Sequence, residues 1–238
     1  MKVAVIIPCL NEQAAILKVV KDCRHYLPKA EIYVLDNASE DDTAEVARQA
    51  GAHVIHSPLR GKGHVVRHAF RVLDADYFLL IDGDGTYPVA HAPRLLEIAR
   101  TYNYEMVMGA RLKNANPEAF RPLHFLGNKI LTGLVRRLFA FPVEDLLTGY
   151  RVFSRRFARQ VRLTSKGFEI ETELTIRALA QNMAFCEVAI PYSERHSGGH
   201  SKLRTFRDGA LIIAAIFRLF IFFKLEIEHY NNEFLFTG

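Results

Sequence analysis

Leu79-Leu80-Ile81-Asp82-Gly83-Asp84-Gly85-Thr86-Tyr87-Pro88 sets three apolar residues directly before two carboxylates that flank a glycine. The apolar triplet reads as the buried end of a β-strand. In an open α/β sheet ligands collect where strands end, so the carboxylate pair sits where chemistry is expected. Gly83 and Gly85 let the backbone bend, and two carboxylates one residue apart can then share one divalent cation. Mg²⁺ and Mn²⁺ suit such a pair, because they take few protein oxygens and fill the remaining positions with water and phosphate. Alone, the run also fits an Asp-Gly turn between two strands. The rest of the chain decides.

Outward from this run, strand and helix patterns alternate. Val3–Ile7, Ile32–Leu35, His53–His56, Tyr77–Ile81 and Met106–Gly109 read as short apolar strands. Between them Glu12–Cys23, Asp42–Ala50, Gly63–Leu73 and Val89–Thr101 carry helical periodicity. Ser39 and Asp42 resemble a capping box for the second helix, Gly51 stops it, and Pro88 and Pro93 mark the start of the fourth. In the rear half Phe125–Phe139, Glu171–Gln181 and Asp208–Lys224 read as helices and Phe185–Ile190 as a strand. The rhythm predicts an α/β, Rossmann-like fold, with a mostly parallel central sheet and helices on both faces.

The 238 residues, 50% hydrophobic, suffice for one domain with a proper core. Cys9, Cys23 and Cys186 are odd in number and scattered, which suggests neither disulfides nor a zinc cluster and fits a reducing cytoplasm. Met1-Lys2 leads straight into the first strand, so no signal peptide is expected. The net charge of +5 is unevenly spread: residues 1–110 are nearly neutral, whereas 111–224 hold 19 Lys/Arg against 9 Asp/Glu. These basic residues interleave with aliphatic and aromatic runs, a pattern suited to an anionic membrane surface rather than to nucleic acid.

Polar residues gather at the strand ends, in Pro8-Cys9-Leu10-Asn11-Glu12, Asp36-Asn37-Ala38-Ser39, Arg60-Gly61-Lys62-Gly63 and the Asp82/Asp84 pair. Neither G-x-G-x-x-G nor G-x-x-x-x-G-K-[ST] is present, so no glycine loop cradles phosphate; metal and basic side chains must do so. Together I-I-P-C-L-N-E, L-D-N-A-S-E-D-D-T, R-G-K-G, D-G-D-G-T-Y-P, L-T-G-Y-R-V-F-S-R-R and S-G-G-H-S-K-L-R-T-F-R-D-G stand in order over about residues 3–224. They resemble a family 2 inverting glycosyltransferase of the GT-A fold, in the branch of dolichyl-phosphate mannose synthases and bacterial polyprenyl-phosphate sugar transferases. Two positions depart from that branch: Asn37 stands where a second Asp is common, and Thr86 where Gln is common.

The resemblance implies a set of roles. Pro8, Leu10 and Glu12 line the nucleotide pocket, Asp36 contacts base or ribose, and Lys62 lies near the donor. Asp82 and Gly83 meet the ribose and sugar, while Asp84, with Asp82 and Thr86, forms the metal site for Mg²⁺ or Mn²⁺. Arg111, Arg121 and Lys129 match basic residues that hold an acceptor phosphate. Arg195, Ser201, Lys202 and Arg204 form a second basic cluster around a glycine loop; arginine suits phosphate because its planar fork binds two oxygens at once. Glu171 reads either as a donor-sugar ligand or as helix-dipole compensation. His64 and His68, one turn apart, read as structural, as do His196 and His200. Arg155, Arg156 and Arg159 read as a solvated or membrane-facing helix face.

Ala210–Phe223 is apolar except for Arg218 and too short to span a bilayer, which takes about 18–20 residues. A buried core helix is one reading of it; its basic flanks and its Phe217, Phe220, Phe222 and Phe223 favour a helix lying in the headgroup plane, and Leu134, Val135, Leu138, Phe139 and Phe141 suggest a second such surface. The expected organisation is a glycosyltransferase domain over 1–207 (nucleotide-sugar half 1–110, acceptor half 111–207), an interfacial helix over 208–224 and a tail over 225–238. The expected activity moves a hexose from a nucleotide diphosphate sugar to a polyprenyl phosphate, peripherally on the inner membrane face. The same-fold alternative transfers to a saccharide or protein hydroxyl, with Asp145 as general base; a non-catalytic nucleotide-sugar-binding subunit is the third.

Overall fold

The apolar runs of the front half pair as expected. In the computed structural model, which describes residues 1–111, 122–192 and 205–235, the elements follow the order β1 (Val3–Cys9), α1 (Gln13–Tyr26), β2 (Glu31–Asp36), α2 (Thr43–Gln49), β3 (His53–His56), α3 (Lys62–Val72) and β4 (Tyr77–Leu80). A 3₁₀ turn (Val89–His91) leads into α4 (Ala92–Thr101) and β5 (Met106–Ala110). The rear half adds α5 (Pro122–Phe139), β6 (Arg151–Ser154), α6 (Arg155–Gln160), α7 (Ile170–Ala180), β7 (Phe185–Ala189) and α8 (Thr205–Leu235). Side chains of the terminal parts of α5 and α8 lie outside this description, as do Arg121, Arg195, His196, His200, Ser201, Lys202 and Arg204.

The seven-stranded sheet has the order β3-β2-β1-β4-β6-β5-β7, parallel except for β6, which runs antiparallel to both neighbours. Strands buried on both faces read as continuous apolar runs, as Val5-Ile6-Ile7 and Phe78-Leu79-Leu80 do here. Ile16, Val19 and Val20 of α1 and Leu95 and Leu96 of α4 cover one face; Val65, Val66 and Phe70 of α3 with parts of α5, α6, α7 and α8 cover the other.

The Ser39–Asp42 capping box does not form. Ser39 Oγ instead accepts the Asn11 backbone N–H, and Asp41 takes the N–H of Thr43. Strand β6 escapes sequence reading because it is four residues long and begins on an arginine. Arg151 is fully buried and has no carboxylate partner among the described residues. Its guanidinium donates to the carbonyls of Thr148 (2.9 Å) and Leu146 (2.8 Å) and to Thr175 Oγ1 (2.8 Å), and burial lowers its pKa to about 10. It is a structural clamp between β6, the preceding loop and α7. The α6 arginines form a solvated, ion-paired face: Arg155 with Asp74 and Asp76, Arg156 with Glu105, Arg159 with Asp74.

The rear apolar surfaces need correcting. Val135 and Phe139 are core residues, and Leu134, Leu138 and Phe141 pack against that core, so they form no second membrane surface. Phe220 and Phe223 stack on Phe139 (5.5 and 5.4 Å between ring centres). The helix does not end at 224 but continues through Leu235. No helix among the described residues is long and apolar enough to cross a membrane.

Replacing Arg151 by Leu should leave two buried carbonyls without donors, at a cost of about 3 kcal/mol, and lower Tm by about 6–12 °C. Differential scanning calorimetry checks this; an unchanged Tm would deny the clamp.

Candidate functional site

The loops that follow β1 and β2 clasp one another where the parallel strands end. Asn11 and Ala38 both adopt left-handed backbone (φ 53° and 61°), and Asn11 Oδ1 accepts the N–H of Glu40 (2.8 Å). Non-glycine residues in that region are strained, which is common beside ligand sites. Asn37 explains its own presence. Its amide nitrogen donates to the carbonyls of Ser57 (3.0 Å) and Leu59 (2.7 Å), and its oxygen accepts the Gly61 N–H (2.7 Å). An aspartate could not donate to either carbonyl, so Asn is what this strap requires.

The glycines of the motifs have separate reasons. Gly85 has φ +76°, the turn conformation glycine tolerates. A Cβ on Gly83 would lie 2.5 Å from Cys9 Sγ. Cβ atoms on Gly61 and Gly63 would overlap the backbone of Lys166 and Ser165, against which the start of α3 packs. That packing carries Lys62 inward. Its ammonium lies 2.5 Å from Asp82 Oδ1 and 2.6 Å from Glu171 Oε1, at the first turn of α7. Burial alone would lower the Lys62 pKa, but the two carboxylates raise it well above its ordinary value. Burial pushes the Glu171 carboxyl up, and Lys62 only partly offsets this. Gly149 completes the fit: a Cβ there would overlap the Asp82 carboxylate and sit 2.8 Å from Lys62 Nζ.

The neighbouring carboxylate, Asp84, is held by Thr86. The Thr86 backbone N–H (3.1 Å) and hydroxyl (2.6 Å) both donate to Asp84 Oδ1. Thr86 is buried and does not line the recess, so its expected place as a metal ligand is corrected to one of orienting Asp84. Among the described residues no three or more His, Cys, Asp or Glu converge into a complete metal cage. The residues nonetheless fit a hard divalent cation that draws most of its oxygens from a diphosphate and water, with Asp84 and Asp82 as protein donors. The Cys9 thiol registers the same field: burial first, then Glu12, Asp36, Asp82 and Asp84, push its pKa well up.

Across the recess stands a second ion pair. Arg111, at the end of β5, makes a two-pronged contact with Asp145 (2.8 and 2.9 Å), and Tyr87 and Tyr192 flank the guanidinium at 5.8 and 5.2 Å. Asp145 also accepts from Asn128 (2.9 Å), while its own backbone N–H is fixed by Glu187 (2.9 Å). Burial would raise the Asp145 pKa, but Arg111 outweighs it and holds the carboxyl below the usual range. Fully buried, ion-paired and weakly basic, Asp145 is corrected from candidate base to the group that positions Arg111.

Pro8, Leu10, Glu12, Lys62, Asp82, Gly83, Asp84, Arg111 and Glu171 thus line one recess of about 320 Å³. Asp36 is buried just behind it, receiving the Ser39 N–H, while Asn37 takes the lining position. Lys129 does not reach the recess; it sits over the Phe125 ring on α5 (4.3 Å). Sequence reading missed the apolar wall of Val65, Leu147, Phe168, Tyr192 and Ile212, because nothing local marks residues that only tertiary packing brings together.

The family described as Glycosyl transferase family 2 matches residues 4–162. Glycosyltransferase AglJ of Haloferax volcanii is 36% identical over 221 residues, 91% of this chain and 71% of the relative. The dolichyl-phosphate hexose transferase of the same organism is 31% identical over 225 residues, 94% of this chain and 96% of the relative. Among solved structures, glucosyl-3-phosphoglycerate synthase from Mycobacterium tuberculosis, in complex with Mn²⁺, UDP-glucose and phosphoglyceric acid, shares the fold with a TM-score of 0.77 at 20% identity, over 92% of this chain and 79% of that one. With a GT-A-like sheet and these relatives, the chain belongs to glycosyl transferase family 2 and is a glycosyltransferase.

Proposed function

We propose that this enzyme moves a hexose from a nucleotide diphosphate sugar to a polyprenyl phosphate at the cytoplasmic face of a membrane, with inversion at the anomeric carbon. The observation that carries the reading is the convergence of Asp82, Asp84, Arg111 and Ile212 of α8 on one recess. The donor lies along Pro8, Leu10, Glu12 and Asn37, with Asp36 behind them. Lys62, Asp82 and Glu171 face its sugar. The likeness to a dolichyl-phosphate hexose transferase supports the acceptor class, and the Mn²⁺ and UDP-glucose of the mycobacterial synthase support the donor class. The donor is GDP-mannose or a UDP-hexose, and the UDP-glucose of the mycobacterial synthase is of the second kind.

A phosphate acceptor removes the need for a base. A phosphate monoester is largely dianionic at neutral pH, its second pKa being about 6, so its oxygen attacks directly. One C–O bond forms at the anomeric carbon as the bond to the diphosphate oxygen breaks, and the nucleoside diphosphate leaves. Arg111, fixed by Asp145, orients the acceptor phosphate; Arg121, Arg195, Ser201 and Lys202 are proposed to add to it. A divalent cation bound by Asp84 and Asp82 would supply positive charge against the leaving diphosphate. The hydroxyl-acceptor alternative lacks its base, since Asp145 is buried and held by Arg111.

The acceptor route follows α8. Ile212, Ala215, Ile216 and Leu219 face the core, while Leu211, Ile213, Phe217, Ile221 and Phe222 are exposed, and Arg207, Arg218 and Lys224 are exposed along the same helix. Such a face suits an anionic bilayer surface.

Asp84→Asn should abolish hexosyl transfer and metal-dependent protection of the fold by the nucleotide sugar while leaving Tm unchanged. Near wild-type turnover of that variant in EDTA would sink the metal reading. Gly149→Ala should displace Asp82 and Lys62 and lower kcat/KM by about a hundredfold or more, since misplacement of about 1 Å carries that penalty; calorimetric titration with the donor would separate lost binding from lost folding. Phe217→Ser with Phe222→Ser should release the protein from anionic vesicles at unchanged Tm. Phe220→Ser with Phe223→Ser should instead lower Tm. Vesicle binding that is indifferent to the first pair would remove the membrane route.

A further inference from the structure

We propose that a groove between α3 and α6, separate from the catalytic recess, is a second binding site for a ligand that carries a phosphate group. The groove encloses about 530 Å³ and shares no lining residue with the recess at the strand ends. Lys62 turns inward from the first position of α3, and the next residues along the helix build the groove. His64, Arg67, His68 and Arg71 fall at i, i+3, i+4 and i+7, one face of the helix, and all line it. Arg159 of α6 closes the opposite side.

The charge state of this face is what points to a ligand. Arg67 and Arg71 are exposed, one turn apart, and neither has an ion pair or hydrogen bond among the described residues. Like charges at that spacing repel. The adjoining helix is different, because Arg155, Arg156 and Arg159 each have a carboxylate within 3.3 Å. Among the described residues no carboxylate lines the groove. Asp74, near Arg159, is taken by Arg155 and Arg159; Glu169, which acts on His64, is taken by the backbone N–H groups of Lys166 (2.8 Å) and Gly167 (3.0 Å). The His64 pKa is lowered by burial, then by Arg67 and Lys166, which outweigh Glu169. The field at His64 from the described residues is therefore net positive.

The floor is apolar: Phe70 and Val161 lie at the base, with Leu163 beside them and Leu59, 60% exposed, at the rim. Guanidinium forks over an apolar floor fit an organic phosphate, whose charged group meets Arg67 and Arg71 while its carbon portion covers the floor. Two sources share this chemistry, a soluble phosphorylated metabolite and the headgroup of an anionic lipid.

Inorganic pyrophosphate, added to the full chain without divalent cation, should shift the ring NMR signals of His64 and His68 to saturation. Arg67→Gln with Arg71→Gln should weaken that titration by about tenfold or more. Arg94→Gln with Arg100→Gln removes the same charge from exposed positions on α4, across the sheet, and should leave it unchanged. Both pairs should keep their Tm, the first because its removal relieves repulsion. In a second arm the variants are sedimented with phosphatidylglycerol vesicles. Selective loss of sedimentation in the α3 pair identifies a lipid headgroup as the source, and selective loss of the pyrophosphate titration alone identifies a soluble phosphate. If neither probe separates the two pairs, the groove is ordinary basic surface and the proposal is wrong.

Discussion

The ammonium of Lys62 between Asp82 and Glu171 ties three distant parts of the chain to one point: the start of α3, the end of β4 and the start of α7. Buried charges are tolerated only when paired and well placed, and removing one partner strands the others. The surrounding sequence is shaped by that demand. Gly61 and Gly63 let α3 press onto the 165–167 backbone so that Lys62 can reach inward, and Gly149 leaves the space in which the three charges meet. The glycines of R-G-K-G and L-T-G-Y are therefore steric conditions for an electrostatic contact, not phosphate-cradling loops.

A second buried pair, Arg111 with Asp145, performs the matching task on the other wall. Here the carboxylate is wholly enclosed and the arginine opens toward the recess, so the pair presents positive charge while Asp145 stays hidden. The two rings beside the guanidinium add to this. Tyr87 also accepts the Gly149 N–H (2.8 Å), so one residue of the D-G-D-G-T-Y-P run supports both ion pairs.

The strand-helix rhythm was legible because parallel strands buried on both faces must be apolar throughout and their helices must be amphipathic. Pro8, Leu10, Glu12, Lys62, Asp82, Gly83 and Asp84 stand in the ordered motifs and line the recess. Burial was not legible. Asp145 reads as a base in sequence because an acid beside T-G-Y-R resembles one, and only enclosure by Arg111 and Asn128 decides otherwise. Asn37 and Thr86 read as departures from the family until the strap at Ser57–Gly61 and the Asp84 carboxylate supply their partners. Periodicity marks the apolar faces of α5 and α8 but not which face is covered, so Phe139, Phe220 and Phe223 read as membrane-facing, whereas Phe139 is in the core and Phe220 and Phe223 pack half-buried against it. Strand β6 opens on Arg151, a residue that no strand propensity favours and that three buried acceptors retain.

The charge of the recess constrains what can enter it. Glu12, Asp82, Asp84 and Glu171 line it against Lys62 and Arg111, so among the described residues carboxylates outnumber cations by two. Lys62 is already engaged by two of those carboxylates, and Arg111 by Asp145 behind the wall. Against the side chains of these described residues alone, a diphosphate would meet net repulsion in a low-dielectric cleft, where unscreened charges interact strongly. Entry together with a divalent cation reverses the sign of that interaction. The charges of the described residues thus support the proposed reliance on a metal, beside the spacing of Asp82 and Asp84.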